Sequence, residues 1–477
     1  MQSTFDLADI SRQHPTMIAR ALLYISVCLQ QLPPTFDTNL LHFPMSVESR
    51  IDRYISTVQT LITSDDELVS MIEGIECLIL QGIFHINGGN PRRAWLSFRR
   101  ALNIGQLMGL HRKNTSIPGG REMWFHIVQA DRYLALLLGL PCGCADDTFD
   151  PEETFQNSDL DIDLLFTRKL SQISGSIIER NHNDNTQTYA ATQEIDDRLD
   201  QLAKDLPESW WEVPTYVAND RSPKAAEAFD RLMIQIWFFQ LEALLHLPFM
   251  LRNERRYEYS KFSCLKASRE MIYRYLALRE AETKSFCCKV VDFGALTATV
   301  TLLLGLLELP LAGEAREVQR QRDKDRTLVR TVMNSMEQLS QSNGDIVATQ
   351  CVNVIKTLLS AESPTGPNGG NLRLTIPYFG TINIARPPAT PPRDQSCPAM
   401  PLQQARPMQQ QAGTLTWNAP TLTSHPISGP VVSFTSSQFP PNTGIPEQQM
   451  EDWGLQEADN LFFDSLLNSD IEGNWMF

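Results

Sequence analysis

Apolar residues recur at spacings of three and four along most of residues 11–360, whereas the alternating pattern of a β-strand is almost absent there. The first spacing is that of a helix face, so the sequence predicts an all-α, multi-helix domain over residues 1–360. Residues 141–163 are predicted to form a loop, and Pro248 is predicted to end the longest helix. The predicted helices span residues 11–32, 47–63, 65–87, 164–180, 192–206, 222–249, 262–279, 290–309, 327–342 and 346–360, with two more in 88–150.

The two central helices have the clearest limits. Pro91 suits the first turn of the first one, because the N–H that proline lacks would have no partner there. Gly109 suits its end, because glycine can adopt the left-handed backbone conformation, and Leu110 then supplies the apolar contact after the cap. The second helix begins near Arg121 and carries Trp124 on its apolar face.

Asp131 lies on the same apolar face as Trp124. A buried carboxylate is costly unless it is paired, so a cationic partner is expected. The candidates are His111, Arg112 and Arg132, and we hypothesise that a cation at the end of the first central helix pairs with Asp131. The alternative is a solvated aspartate at a helix bend.

The order and spacing of the residues in 88–150 resemble the fungal-specific transcription factor domain, the helical middle region of fungal zinc-cluster regulators. Leu140 stands where that family usually has Arg, and Met108 where it usually has Leu; neither change disturbs a helix. The resemblance is close over 88–150 and looser over most of residues 1–360. Its signature residues here are Gly109, Leu110, His111, Arg112, Glu122, Trp124, Asp131, Arg132, Gly139 and Pro141.

The resemblance implies a nuclear regulator of RNA polymerase II genes, able to shuttle to the cytoplasm. The family contacts DNA through a six-cysteine cluster that holds two zinc ions, and nothing before Cys28 resembles it. No cofactor is therefore expected in this chain, and DNA would be contacted only indirectly or through a missing N-terminal region. A truncated gene model and a partner subunit both remain open. The resemblance also leaves a small-molecule effector and a homodimer open as partners.

Bulk properties exclude several other classes. The net charge of −15 argues against nucleic-acid binding by the chain as a whole. The nine cysteines are scattered and odd in number, as expected of free thiols in a reducing compartment. The longest uncharged apolar run, 293–307, is shorter than the ~20 residues of a membrane span, so we predict a buried core helix and no membrane partner.

Sequence motifs of common enzymes are absent, which predicts that the chain is not an enzyme. His126 and His246 lie on or beside apolar helix faces and are predicted to be core histidines with hydrogen-bond partners. The basic doublets 92–93 and 99–100 are predicted to form the solvated face of the first central helix.

Composition changes after residue 360. Residues 361–450 hold 16 of the 29 prolines, with repeated Gln, Ser and Thr, and are predicted to form a disordered linker. Residues 371–385 are the exception, because their partly alternating pattern suits a short strand or a segment packed on the helical domain.

The tail, residues 451–477, contains seven acidic residues and no basic ones. Such a composition predicts an acidic activation tail that folds over 459–471 into an amphipathic helix in a coactivator groove. The alternative is a non-transcriptional helical binding module whose C-terminal helix docks on its own core. The predicted anchors of the tail are Trp453, Phe462, Phe463, Leu466, Leu467, Ile471 and Trp475.

Overall fold

The computed structural model describes residues 12–33, 36–144, 161–182, 189–215, 220, 222–252, 254–281, 288–307, 316–343, 345–362, 372–376, 380–384 and 475–476. This part contains thirteen α-helices: α1 (Pro15–Gln30), α2 (Val47–Val58), α3 (Asp66–Val69), α4 (Ile72–Asn87), α5 (Pro91–Leu107), α6 (Gly120–Leu138), α7 (Ile162–His182), α8 (Tyr189–Lys204), α9 (Pro223–Met250), α10 (Glu258–Ala281), α11 (Lys289–Leu307), α12 (Arg316–Asn343) and α13 (Ile346–Glu362). Short 3-10 helices occupy Thr38–Leu41, Glu208–Trp211 and Arg255–Tyr257. The predicted all-α domain is confirmed.

Helix ends follow the local sequence where a capping residue is present. Ser222 Oγ accepts a hydrogen bond from the backbone N–H of Ala225 (3.2 Å), and Pro223 occupies the first turn of α9. The Asp65 side chain caps α3 in the same way, through the N–H groups of Glu67 and Leu68. These side chains satisfy donors that the first helical turn leaves unpaired.

Several predicted limits are wrong, and the backbone shows why. The predicted helix 65–87 is split into α3 and α4, because Met71 is extended (φ −143°, ψ 165°). The predicted helix 47–63 is α-helical only to Val58 and widens into the π-helical turn Gln59–Thr63. Pro248 does not end α9, since the helix continues to Met250 and the N–H of Leu251 bonds to the carbonyl of Leu247 (3.1 Å).

Helices α7, α8, α10 and α12 begin earlier than predicted. Helix α7 begins at Ile162, inside the predicted loop 141–163, and the N–H of Leu165 bonds to the carbonyl of Asp161 (2.9 Å). Helix α12 begins at Arg316, eleven residues before the predicted start at 327. Its first turns are charged and solvent-exposed, so they carry no apolar face for periodicity to detect.

The largest hydrophobic core runs from α6 to α13, with α9, α10 and α11 at its centre. A second core joins α4, α5 and α6 around Trp124, and a third joins α1, α2 and α4. Helices α9 and α11 are long and apolar enough to cross a membrane by length and composition, but 78% and 89% of their apolar windows are buried inside the domain. The prediction of a core helix over 293–307 is confirmed.

A small sheet follows the helices in sequence. Strand β1 (Leu372–Ile376) pairs antiparallel with β2 (Gly380–Ile384), within the segment 371–385 that showed a strand-like pattern. Strand β3 (Trp475–Met476) pairs parallel with β2, with Trp475 opposite Ile382. Trp475 therefore lies in a strand, where the sequence predicted an anchor beside a helix.

Two predictions fall on parts of the chain outside the described residues. They are the disordered linker, apart from β1 and β2, and the amphipathic helix over 459–471 with the tail anchors from Trp453 to Ile471.

Candidate functional site

Gly109 ends α5 as predicted, and Gly139 ends α6. Gly109 has φ +78°, its N–H bonds to the carbonyl of Gln106 (3.0 Å), and the N–H of Leu110 bonds to the carbonyl of Gly105 (2.9 Å). This pair of hydrogen bonds is the Schellman motif. Gly139 (φ +64°) ends α6 with the same two bonds, and Leu110 is fully buried.

Asp131 is buried and paired, but its partner is not one of the predicted cations. Arg99 Nε donates to Asp131 Oδ1 (2.8 Å), and the backbone N–H of Gly143 donates to Oδ2 (2.9 Å). A second nitrogen of Arg99 donates to the carbonyl of Pro141 (2.8 Å). Arg99 lies within α5, across from Asp131 on α6, whereas Arg112 lies beyond the end of α5. The predicted pairing with the end of α5 is therefore wrong.

Burial also affects the charge of this aspartate. It raises the pKa of Asp131 above the ordinary value of 3.8, although Arg99 and the Gly143 N–H act in the opposite direction. The Asp131 carboxylate joins α5, α6 and the segment after α6. We call the cluster of Arg99, Asp131, Pro141 and Gly143 the central latch.

The prediction that residues 99–100 face solvent is wrong for both arginines. Arg99 belongs to the central latch, and Arg100 donates to Asp66 Oδ1 (2.6 Å) and to the carbonyl of Thr63. Arg92 and Arg93 are exposed, as predicted.

Two more signature residues, Arg132 and Trp124, join neighbouring helices. Arg132 is fully buried and donates from Nη1 to the carbonyl of Ser171 (3.0 Å), which ties α6 to α7. Trp124 packs against Gly105, where an added Cβ would lie 3.4 Å from its ring, and its ring centroid is 5.9 Å from that of His111. Glu122 is exposed in the first turn of α6. Trp124, Asp131 and Arg132 thus hold helices together, whereas Glu122 faces solvent.

A different face of α6 lines a cavity of about 390 Å³. Stripes at helical spacing from α4, α6 and α9 surround it, and the beginning of α11 completes it. The lining consists of Ile79, Ile83 and Ile86 of α4, Phe98 of α5, His126, Gln129, Ala130 and Tyr133 of α6, Met233, Ile234, Ile236, Trp237 and Gln240 of α9, and Cys288, Val290 and Val291.

Two polar side chains of the cavity, Gln240 and Trp237, contact Tyr133. Its hydroxyl donates to Gln240 Oε1 (3.1 Å), and burial raises the pKa of Tyr133. Its ring meets that of Trp237 edge-on, with centroids 6.1 Å apart. Within the described residues, Gln240 Nε2 and Trp237 Nε1 are buried and have no hydrogen-bond partner.

His126 is not the core histidine that the sequence predicted, because its side chain is solvent-accessible where it lines the cavity. The pKa of His126 is nevertheless lowered, first because the surrounding atoms desolvate the imidazolium and second because Arg168 adds positive charge nearby. The neutral imidazole is therefore favoured.

His246 is a core histidine, as predicted. Its Nδ1 lies 3.0 Å from Ser260 Oγ and its Nε2 lies 3.0 Å from Asp196 Oδ1, while Tyr259 donates to Asp196 Oδ2 (2.6 Å). Burial would raise the pKa of Asp196, but the hydrogen bonds from His246 and Tyr259 outweigh it and lower that pKa. The Ser–His–Asp order is that of a hydrolase, but Ser260 is 0% exposed, so a substrate cannot reach its hydroxyl. The network joins α8, α9 and α10.

Sequence reasoning missed both the cavity and this network. The helical stripes of α4, α6 and α9 were visible in the sequence, and Gln129 and Gln240 interrupt two of them with amides. A buried amide on an apolar stripe is a usable signal, because it needs a partner. Nothing local indicates that the three stripes face one another.

The geometry defines the chain as an all-helical domain whose signature residues fix the packing of α5, α6 and α7, beside an open pocket on another face of α6. Comparison with known proteins identifies the family to which the chain belongs. The chain is 36% identical to the transcription factor sdnS of Sordaria araneosa over 80% of this chain and 53% of that protein. It is 32% identical to the dehydrocurvularin biosynthesis regulator of Alternaria cinerariae over 80% of this chain and 54% of that protein.

It is also 30% identical to the dehydrocurvularin biosynthesis regulator of Aspergillus terreus, over 96% of this chain and 73% of that protein. The chain belongs to this family of fungal pathway-specific transcription regulators. It spans about half the length of the Sordaria and Alternaria relatives. No protein-family model matches the chain, and no solved structure matches it.

Proposed function

We propose that this chain is the regulatory and activation part of a zinc-cluster-type transcription regulator that acts on RNA polymerase II genes in the nucleus. Residues 1–360 are its helical regulatory domain, and residues 451–477 are its activation tail. The observation that carries the proposal is the similarity to a biosynthesis regulator over 96% of this chain. The packed signature of α5 and α6 supports it, because Gly109, Asp131 and Arg132 fix the end of α5 and the packing of α6 against α5 and α7.

We propose that DNA is contacted through a zinc cluster or through a partner chain, and not by the helical domain. The net charge of −15 supports this assignment, because phosphate binding needs positive charge. Among the described residues, no group of three or more His, Cys, Asp or Glu side chains could hold a metal ion. A homodimer remains a prediction.

The activation tail is proposed to bind a coactivator. Its seven acidic residues and interleaved aromatic residues support this role, because charge keeps such a segment in water while the aromatic side chains anchor it in a groove. Folding on binding consumes free energy, so an affinity on the order of micromolar is expected.

The helical domain is proposed to gate this tail. The pairing of β3 with β2 supports docking of the tail within the chain, because Trp475 is then held beside Ile382, just after the helical domain, instead of by a partner. The same pairing favours a second candidate function, a helical binding module without a transcriptional role whose tail docks on itself. In that case docking uses a strand at Trp475–Met476, not the helix that the sequence suggested.

A reporter assay separates the two candidates. The full chain and residues 361–477 are each fused to an unrelated DNA-binding domain, and reporter transcription is measured at matched protein levels. The first candidate predicts activation by residues 361–477, and gating predicts weaker activation by the full chain. Equal activation by the two fusions would remove gating, and no activation by either would favour the second candidate.

A further inference from the structure

The outer face of α10 carries a row of side chains that the helical domain leaves at least partly exposed. They recur at spacings of three, four and seven, which places them on one side of the helix. We call this row the α10 stripe, and its members are Tyr259, Phe262, Lys266, Tyr273 and Leu276.

Three aromatic side chains of the α10 stripe remain in contact with water. Tyr259 is 51% exposed, Phe262 is 63% exposed and Tyr273 is 46% exposed. An aromatic side chain buries about 150–250 Å², so these fractions leave roughly 300 Å² uncovered on one helix. Aromatic side chains are enriched in the cores of protein interfaces and supply much of the binding energy there. The α10 stripe therefore has the composition of an interaction surface.

The order of residues in the α10 stripe fits a second copy of the same helix. When two copies of α10 meet antiparallel about a twofold axis near residue 268, Phe262 lies opposite Tyr273 of the second copy. In the same arrangement Tyr259 lies opposite Leu276 of the second copy. Each pairing occurs twice, because residue i meets residue j and residue j meets residue i in a twofold interface. Every aromatic residue of the stripe thus faces an apolar or aromatic one.

The charges in the middle of α10 fit the same arrangement. The axis lies between Lys266 and Glu270, so the ammonium group of each copy faces the carboxylate of the other. Glu270 pairs with Arg274 on its own helix (2.7 Å), but 39% of its side chain is exposed to a second cation. The neighbouring Arg269 adds little repulsion, because Asp325 pairs with it at 2.7 Å. A parallel pairing in register would instead bring together the like charges of the two Lys266 side chains.

We propose that two copies of this chain associate through antiparallel α10 stripes, with Phe262 of each copy packed against Tyr273 of the other. The three aromatic side chains supply well under half of the ~800 Å² that each partner buries in a standard interface, so the dimer is weak. A dissociation constant on the order of ten micromolar is expected. Self-association of the purified chain requires neither DNA nor a coactivator, so the proposal succeeds or fails independently of the transcriptional role.

Sedimentation equilibrium of the purified full chain tests the surface. The wild type should change from monomer to dimer between roughly 1 and 100 µM. Phe262→Glu should weaken the dimer about thirtyfold or more, because it places a charge opposite an aromatic anchor. Leu107→Glu is the matched control, since Leu107 is 85% exposed on α5, away from the stripe, and should leave the dimer unchanged. Lys266→Glu is the second variant, and it should weaken the dimer by facing Glu270.

A charge pair tests the antiparallel register. Phe262→Glu and Tyr273→Lys should each weaken the dimer, whereas the double variant should associate more strongly than either single variant. The two positions are opposite each other only between copies, because they are separated by three turns within one helix. All the substituted side chains are exposed, so each variant should keep the melting temperature of the wild-type monomer.

Three results would overturn the proposal. One is a wild type that stays monomeric at 100 µM, roughly ten times the expected dissociation constant. Another is a dimer that Phe262→Glu and Lys266→Glu leave intact, or that Leu107→Glu weakens equally, because the copies would then meet through another surface. Additive weakening in the double variant would reject the antiparallel register.

Discussion

Removing Asp131 tests whether the central latch stabilises the helical domain. Asp131 is 0% exposed, and its carboxylate accepts from Arg99 at 2.8 Å and from the Gly143 N–H at 2.9 Å. In Asp131→Ala, the guanidinium of Arg99 loses its counter-charge and the Gly143 N–H loses its acceptor. Substitution at one partner of a buried ion pair costs roughly 3–5 kcal/mol.

The expected loss of unfolding free energy lies near the lower limit of that range, at about 3 kcal/mol. The Arg99 side chain is 20% exposed and keeps the carbonyl of Pro141, so water and that carbonyl partly compensate it. The substitution also removes the burial cost of the carboxylate that raises the pKa of Asp131. The orphaned Gly143 N–H adds about 1 kcal/mol to the loss, which offsets this relief.

Urea unfolding of the wild type, Asp131→Ala, Arg99→Ala and the double variant gives the coupling energy of the pair. Asp200→Ala is the matched control, because Asp200 pairs with Lys204 on an exposed helix surface and should cost under about 0.5 kcal/mol. The latch requires a coupling of at least ~1 kcal/mol. Additive single costs, or an Asp131→Ala cost equal to that of the control, would refute the reasoning.

Three further predictions follow from the same structure and sequence. The pKa of Asp131 is raised in the folded state, so its contribution to the free energy of unfolding is largest below its ordinary pKa of 3.8 and is lost as pH rises through the folded pKa. Asp131→Asn should remove that part of the pH dependence of the unfolding free energy measured in urea, and an unchanged profile would contradict this prediction. Gly109→Ala should cost about 1–2 kcal/mol of unfolding free energy, because φ at this position is +78°. The nearest side-chain atoms would lie 3.6 Å from the added Cβ, which is an ordinary contact, so backbone strain is the expected cause. Gly109→Asn should cost less, and equal costs would point to packing instead of backbone strain. In a DNA-tethered full chain, Phe463→Ala with Leu467→Ala should abolish reporter activation without changing the melting temperature of the helical domain. Asp464→Asn should only weaken activation. A lowered melting temperature in the double variant would indicate a docked structural tail.

The sequence predicted those features that depend on near neighbours in the chain. Helical spacing identified the helices, because an apolar face repeats every three to four residues whatever it later packs against. Gly109 and Gly139 ended their helices because the Schellman motif involves only residues within one or two turns. The break at Met71 was missed, because residues 65–87 keep a helical pattern across it.

For Asp131, the sequence established the need for a partner but not the identity of that partner. A carboxylate on an apolar face requires a cation or donors wherever it is buried. Arg99 lies 32 positions earlier in the chain, and it meets Asp131 only because α5 packs against α6. His111 and Arg112 were nearer along the chain, but they lie past the end of α5.

The cavity and the buried network at His246 were decided by tertiary structure alone. The stripes of α4 and α9 that line the cavity are separated by some 150 positions, and Asp196 is 50 positions from His246. Helical periodicity determines which side chains share a face, but it contains no information on which faces meet. That choice depends on how all the helices fill the core together, and it leaves the Gln240 amide nitrogen and the Trp237 indole nitrogen buried without a hydrogen-bond partner among the described residues.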